Sequence, residues 1–183
     1  MSEDHLKRVF FALWPDDLVR HGVSDVYKTS IYADSLEQVL GGLIYNSENL
    51  HLTLHFLGNL SPPELDCALR QAAKVNVEKF ELLLDSFGCF EKPKVLWLGP
   101  NKIPHQLTEL YAKMADALSV CHVRLESRPY QPHVTLRRKF KGFKETKVPH
   151  KVLWRVNQFA LVESVSTDNG VEYRPLKFYS LGA

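Results

Sequence analysis

His51-Leu52-Thr53-Leu54 and His133-Val134-Thr135-Leu136 repeat one pattern, His-x-Thr-Leu, 82 residues apart. In an extended strand, side chains alternate between faces, so the imidazole and the hydroxyl of each copy project together. Each copy therefore pairs a proton-handling group with a hydrogen-bonding group. In-line displacement at phosphorus needs a base and an acid approaching from opposite directions. Two facing strands of this kind supply both. Histidine suits either role, because its ordinary pKa near 6.5 lets one ring be neutral while the other is protonated. The Thr53 and Thr135 hydroxyls are placed to bond the non-bridging oxygens as charge builds. A metal-free reaction at a tetrahedral phosphate, such as opening a strained 2′,3′-cyclic phosphate, fits this inventory.

His55 follows two residues after Thr53. Strict alternation from Leu50 puts it on the face of His51 and Thr53, roughly 13 Å from His51 and too far to share one phosphate or metal. On a helix the same pair would be i and i+4 and could bind zinc. The alternation favours the strand, which makes His55 a rim residue or a polar core partner. His5, His21, His105, His122 and His150 have no comparable setting.

The elements that must position the motifs are readable from apolar periodicity. Arg8–Trp14 is a buried first strand closed by Pro15, and Asp16-Asp17 caps a helix with the stripe Leu18, Val19, Val23, Val26 and Tyr27. A loop with Gly41-Gly42 precedes the motif strand Leu50–Leu57. Ser61-Pro62-Pro63-Glu64 then starts a helix with the stripe Leu65, Ala68, Leu69, Ala72 and Ala73. Phe80–Phe90 and Val95–Leu98 read as a strand pair, and Pro104–Val120 as a helix with Leu107, Leu110, Tyr111, Met114, Ala117 and Leu118 on one face. Val123–Leu125 and the second motif read as strands. Two closing strands, Val152–Val165 and Val171–Leu181, flank the turn Thr167-Asp168-Asn169-Gly170. The fold class is α+β: two pseudo-symmetric lobes with mostly antiparallel sheets flanked by helices, forming a single domain over residues 1–183.

Composition narrows the setting. At 183 residues and 45% hydrophobic content the chain can bury a sizeable core. Its longest apolar run, Val9–Trp14, is too short to span a bilayer, and the N-terminus does not read as a signal peptide, so a soluble cytoplasmic protein is expected. Cys67, Cys89 and Cys121 are odd in number and lack a Cys-x-x-Cys pattern, and are read as free core or surface thiols. Between Arg128 and Arg155 nine basic residues face one acid, so this segment carries +8 and the remainder of the chain −6. A basic cluster beginning beside the second motif suits a polyanion. Phe11 and Tyr130 could stack on a base, although core packing is the favoured reading of both.

Both motifs resemble the signatures of the 2H phosphoesterases, and the surrounding phrases resemble the RNA 2′,3′-cyclic phosphodiesterase branch, historically called 2′-5′ RNA ligases. Those phrases are Arg8-Val9-Phe10-Phe11-Ala12-Leu13, Asn49-Leu50-His51-Leu52-Thr53-Leu54 with Phe56-Leu57-Gly58, Val95-Leu96-Trp97-Leu98-Gly99, Pro132-His133-Val134-Thr135-Leu136 and Tyr173-Arg174-Pro175-Leu176. The resemblance implies a bilobal fold around a central cleft, and metal-independent hydrolysis of an RNA 2′,3′-cyclic phosphate to a 2′-phosphate. It also implies reversible 2′,5′-joining of tRNA halves in some members. His51 would be the proton donor and His133 the proton acceptor, with Thr53 and Thr135 binding substrate. The family's basic residue five positions after the second histidine falls on Arg138. Strand parity instead puts Arg137 on the face of His133, so both arginines remain candidates. No cofactor and no metal is expected; the partner would be RNA ending in a 2′,3′-cyclic phosphate, tRNA halves included, met by a monomer with no membrane role. The alternative is a non-catalytic nucleotide- or RNA-binding module on the same fold.

Overall fold

A computed structural model describes residues 6–32, 43–44, 46–139, 148–168 and 170–182. Gly41-Gly42 and most of the basic loop, residues 140–147, lie outside these. In chain order the elements are β1 (Lys7–Leu13), α1 (Asp17–Tyr32), β2 (Leu43–Ile44), a 3-10 turn (Ser47–Asn49), β3 (Leu52–Leu60) and α2 (Pro62–Ala72). There follow β4 (Phe80–Leu84), β5 (Ser86–Phe90), β6 (Val95–Gly99), α3 (His105–Leu118) with a closing 3-10 turn (Ser119–Cys121), β7 (Val134–Arg138), β8 (Val152–Val156), β9 (Gln158–Thr167) and β10 (Gly170–Ser180).

The fold is α+β with antiparallel pairing throughout its named strands. One eight-stranded sheet runs β10-β9-β1-β3-β7-β6-β5, with β2 also on β7, and β4 pairs with β8 in a second, two-stranded sheet. The two halves of the large sheet correspond to the expected lobes. They meet where the motif strands touch, at the single ladder pair Leu52↔Val134.

Alternation in β1 divides the interior. Val9, Phe11 and Leu13 enter the main core, whereas Phe10 and Ala12 join Ala160 and Val162 in a smaller cluster on the opposite face. The helices cover the main core with most of their predicted stripes, but Leu18 at the start of α1, 79% exposed, and Ala73 just past the end of α2 face solvent instead. Val19, Val23 and Val26 come from α1, Ala68 and Ala72 from α2, and Leu107, Leu110, Met114 and Leu118 from α3. Each large apolar side chain so buried contributes roughly 1.5–3 kcal/mol. Caps set the helix starts: Asp16 Oδ1 accepts from the Val19 N–H at 2.9 Å, and the Glu64 carboxylate accepts from the Ser61 N–H at 2.8 Å.

Four expectations are corrected. Phe80–Phe90 is two strands in different sheets, because the chain turns at Asp85, whose N–H bonds the Gly99 carbonyl while its carboxylate accepts from Asn101. Val152–Val165 divides in the same way at Asn157, whose carbonyl is taken by the Leu181 N–H. Val123–Leu125 forms no strand; the 3-10 turn that follows α3 ends at His122 in the left-handed region and an irregular segment leads to the second motif. Finally, Cys67 and Cys121 form a disulfide, because packing of α2 against α3 brings their Cα atoms to 5.6 Å, while Cys89 stays free. No helix among the described residues is long and apolar enough to cross a membrane.

Candidate active site

The pair Leu52↔Val134 sets the geometry of the site. Both side chains are buried in the main core. One step to either side in an antiparallel ladder, the pleat reverses, so His51 lies across from Thr135 and Thr53 from His133, all four on the opposite face. The two His-x-Thr units therefore enter one face in opposite chain directions.

Beyond the threonines each motif strand carries a β-bulge, in both cases at the motif leucine. Along β1 the register steps from Ala12↔Thr53 to Phe11↔His55, skipping Leu54. Along β6 it steps from Trp97↔Thr135 to Leu96↔Arg137, skipping Leu136. An extra residue reverses alternation beyond it. Leu54 and Leu136 stay in the core, and the residue after each follows them inward.

His55 is thus 3% exposed and shares the face of Phe11, not that of His51 as strict alternation predicts. Its Nε2–H donates to the Tyr111 carbonyl at 2.8 Å and its ring stacks on Tyr111 at 4.0 Å, which makes it a polar core partner. Arg137 is 4% exposed and its Nη1 donates to the Tyr27 hydroxyl at 3.3 Å. Strand parity puts Arg137 on the face of His133; the bulge turns it inward and brings Arg138 to that face instead. The positive charge of Arg138 lowers the proton affinity of both His51 and His133.

The histidines are held alike. His51 Nδ1–H donates to the carbonyl of Asn49 at 2.7 Å, and His133 Nδ1–H to that of Gln131 at 2.8 Å. A carbonyl only accepts, so the proton of each neutral ring is fixed on Nδ1 and Nε2 is left as the proton-exchanging atom. Asn49 is itself tied to β10: its Nδ2–H donates to the Val171 carbonyl at 2.8 Å, and its Oδ1 accepts from the Tyr173 N–H at 3.2 Å.

Aromatic rings line both histidines. Phe10, Tyr173 and Trp14 stand 4.8, 4.9 and 6.1 Å from the His51 ring, and Phe90 and Trp97 stand 4.9 and 6.2 Å from that of His133. Room for the Trp97 indole comes from Gly88 on β5, where a Cβ would fall 1.9 Å from the ring. This burial favours the neutral imidazoles. It pushes His51 down to about 4, assisted by the charges of His133, Arg138 and Arg20, and lowers His133 as well, again chiefly by desolvation.

Arg20, Asn49, Phe10, Trp14, Tyr173, Phe90 and Trp97 were not selected from sequence as site residues. Arg20 on α1 reaches the site by stacking on Trp14 at 5.1 Å and donating to the carbonyls of Ser47 and Leu50. Phe10, Asn49, Trp97 and Tyr173 fall within the phrases that carry the family resemblance, whereas Arg20, Trp14 and Phe90 carry no such signal. Of the two weighed for base stacking, Phe11 is fully buried, and Tyr130 stacks on Tyr111 at 4.0 Å. Among the described residues no three His, Cys, Asp or Glu side chains group as a metal site would require.

Comparison with known proteins places the chain in a family. A family model described as the 2'-5' RNA ligase superfamily matches residues 25–167, spanning both motifs. The RNA 2',3'-cyclic phosphodiesterase of Escherichia coli is 31% identical over 137 residues, covering 74% of this chain and 77% of the relative. The protein of that name from Archaeoglobus fulgidus is 27% identical over 94% of this chain and 99% of its own. Among solved structures, E. coli LigT complexed with 3'-AMP superposes with a TM-score of 0.86 at 25% identity, covering 97% of this chain and 99% of that one. The chain belongs to the 2'-5' RNA ligase superfamily, within its RNA 2′,3′-cyclic phosphodiesterase family.

Proposed function

We propose that the protein hydrolyses the 2′,3′-cyclic phosphate end of RNA to a 2′-phosphate, with His51 and His133 as a general acid–base pair and no metal. The observation that carries this reading is the matched tethering of both rings through Nδ1, which leaves two Nε2 atoms on one face with Thr53, Thr135 and Arg138.

Water is deprotonated by His133 Nε2 as its oxygen attacks phosphorus in line with the bond to the 3′-oxygen. The P–O3′ bond breaks, and the 3′-oxygen takes the proton from Nε2 of protonated His51. The new P–O bond leaves a phosphomonoester on the 2′-oxygen, and the two histidines end with exchanged protonation states. Thr53, Thr135 and Arg138 stabilise the non-bridging oxygens as negative charge gathers on them. Because burial keeps His51 neutral in the free protein, the anionic phosphate must raise its proton affinity on binding. The same in-line step with a 5′-hydroxyl in place of water, His133 again the base and His51 the acid, would leave a 2′,5′-phosphodiester and so join tRNA halves; cleaving that bond back to the cyclic phosphate exchanges the two roles.

The test is to incubate the protein with an oligoribonucleotide ending in a 2′,3′-cyclic phosphate, with and without EDTA, and to identify the terminus. A 2′-phosphate formed equally in both is expected. A 3′-phosphate, or activity lost on chelation, contradicts the mechanism. Tight nucleotide binding without turnover would favour a binding module instead.

A further inference from the structure

The bulges that bring Arg138 to the catalytic face do the same, five residues after His51, for Phe56. Phe56 is the ladder partner of Phe10, whose ring packs on His51 at 4.8 Å, so Phe56 extends the His51 side of the site along the sheet. It is 41% exposed, unusual for a phenylalanine inside a strand, and nothing in the core requires it. Arg8, exposed on β1 and paired with Asn59, holds its guanidinium carbon 4.9 Å from the centre of the Phe56 ring. Among the described residues no carboxylate forms an ion pair with Arg8. Where one motif strand presents a cation to the reacting phosphate, the other presents an aromatic face with a cation above it.

We propose that Phe56 and Arg8 form a binding platform for the RNA chain leading to the cyclic phosphate, Phe56 stacking on a base and Arg8 engaging a neighbouring backbone phosphate. Four pleated residues at about 3.3 Å each put the platform roughly 13 Å from His51. That is beyond a cyclic mononucleotide held at the histidines and within reach of an oligonucleotide. An exposed ring with an adjacent cation is what sequence-tolerant single-strand binding requires, since every base offers a π-face. The platform therefore selects RNA ends over free cyclic nucleotides. It rests on the RNA-terminus reading given above.

The test compares two substrates, a nucleoside 2′,3′-cyclic monophosphate and a short oligoribonucleotide with the same cyclic end. For Phe56→Ala, KM for the oligonucleotide should rise about tenfold, in the range of one lost base stack, with kcat and the mononucleotide kinetics unchanged. Phe56→Trp should restore it. Arg8→Ala should lessen the salt dependence of oligonucleotide binding by roughly one phosphate contact. Equal effects on both substrates, or no effect on either, would overturn the platform. Fluorescence anisotropy with the same RNA ending in a 3′-hydroxyl reads the platform without turnover. If the wild-type protein opens neither cyclic phosphate, the catalytic reading fails, and weaker RNA binding by Phe56→Ala still decides this one.

Discussion

The hydroxyl of Tyr130, three residues before His133, donates to the main-chain carbonyl of Thr53, two residues after His51, at 3.3 Å. One side chain thus ties the approach to the second motif to the strand of the first. Its ring continues a stack through Tyr111 to His55, both steps at 4.0 Å, which fixes the back of the site to α3.

Tyr130→Phe keeps the stack and removes the tie. Stability should fall by about 1 kcal/mol, as for one buried hydrogen bond. Turnover should fall about tenfold with KM little changed, because proton transfer depends on the placement of the two rings more than binding does. Urea denaturation and steady-state kinetics on the same preparations check both numbers.

The adjacent arginines should separate cleanly. Arg138→Ala, at an exposed position on the catalytic face, should lower kcat/KM by about 10²-fold or more while leaving the denaturation midpoint within error. Arg137→Ala should reverse the pattern, costing about 3 kcal/mol of stability through lost burial and the lost bond to Tyr27. Paired denaturation and kinetic measurements distinguish the two.

Stability should depend on pH through His51. Its folded pKa of about 4 lies below the ordinary 6.5, so between these values the unfolded chain binds more protons than the folded one. Stability is therefore full above about pH 6.5 and declines as pH falls towards 4. The full shift corresponds to about 3 kcal/mol; the partial exposure of the ring reduces the expected loss to about 2 kcal/mol. His133 is shifted in the same direction and adds to the slope. His51→Gln should flatten it in urea titrations at pH 7 and pH 4.5.

Much of this was legible in the chain because it follows from local alternation. The motif pair, its strands, the helical stripes and the antiparallel α+β class all rest on repeats of two or 3.6 residues. The bulges at Leu54 and Leu136 do not, since they exist only in the register with β1 and β6, and no local signal marks them. For that reason parity alone mistook the faces of His55 and Arg137. Asp85 and Asn157 send continuous apolar runs into two sheets, a tertiary choice that periodicity does not record. The Cys67–Cys121 bridge likewise depends on two helices meeting. Arg20 and Trp14 come to His51 from another element, and their spacing in sequence carries no trace of it.

The most direct test of the opposed acid and base is to replace the leaving 3′-oxygen of the cyclic phosphate by sulfur and measure single-turnover rates. A thiolate departs without being protonated, so the acid becomes dispensable while the base does not. On the natural substrate His51→Ala and His133→Ala should each lose roughly 10²- to 10⁴-fold. On the sulfur substrate His51→Ala should approach the wild-type rate and His133→Ala should stay impaired. Rescue of His133→Ala instead, or of neither variant, would contradict the assignment of His51 as the acid.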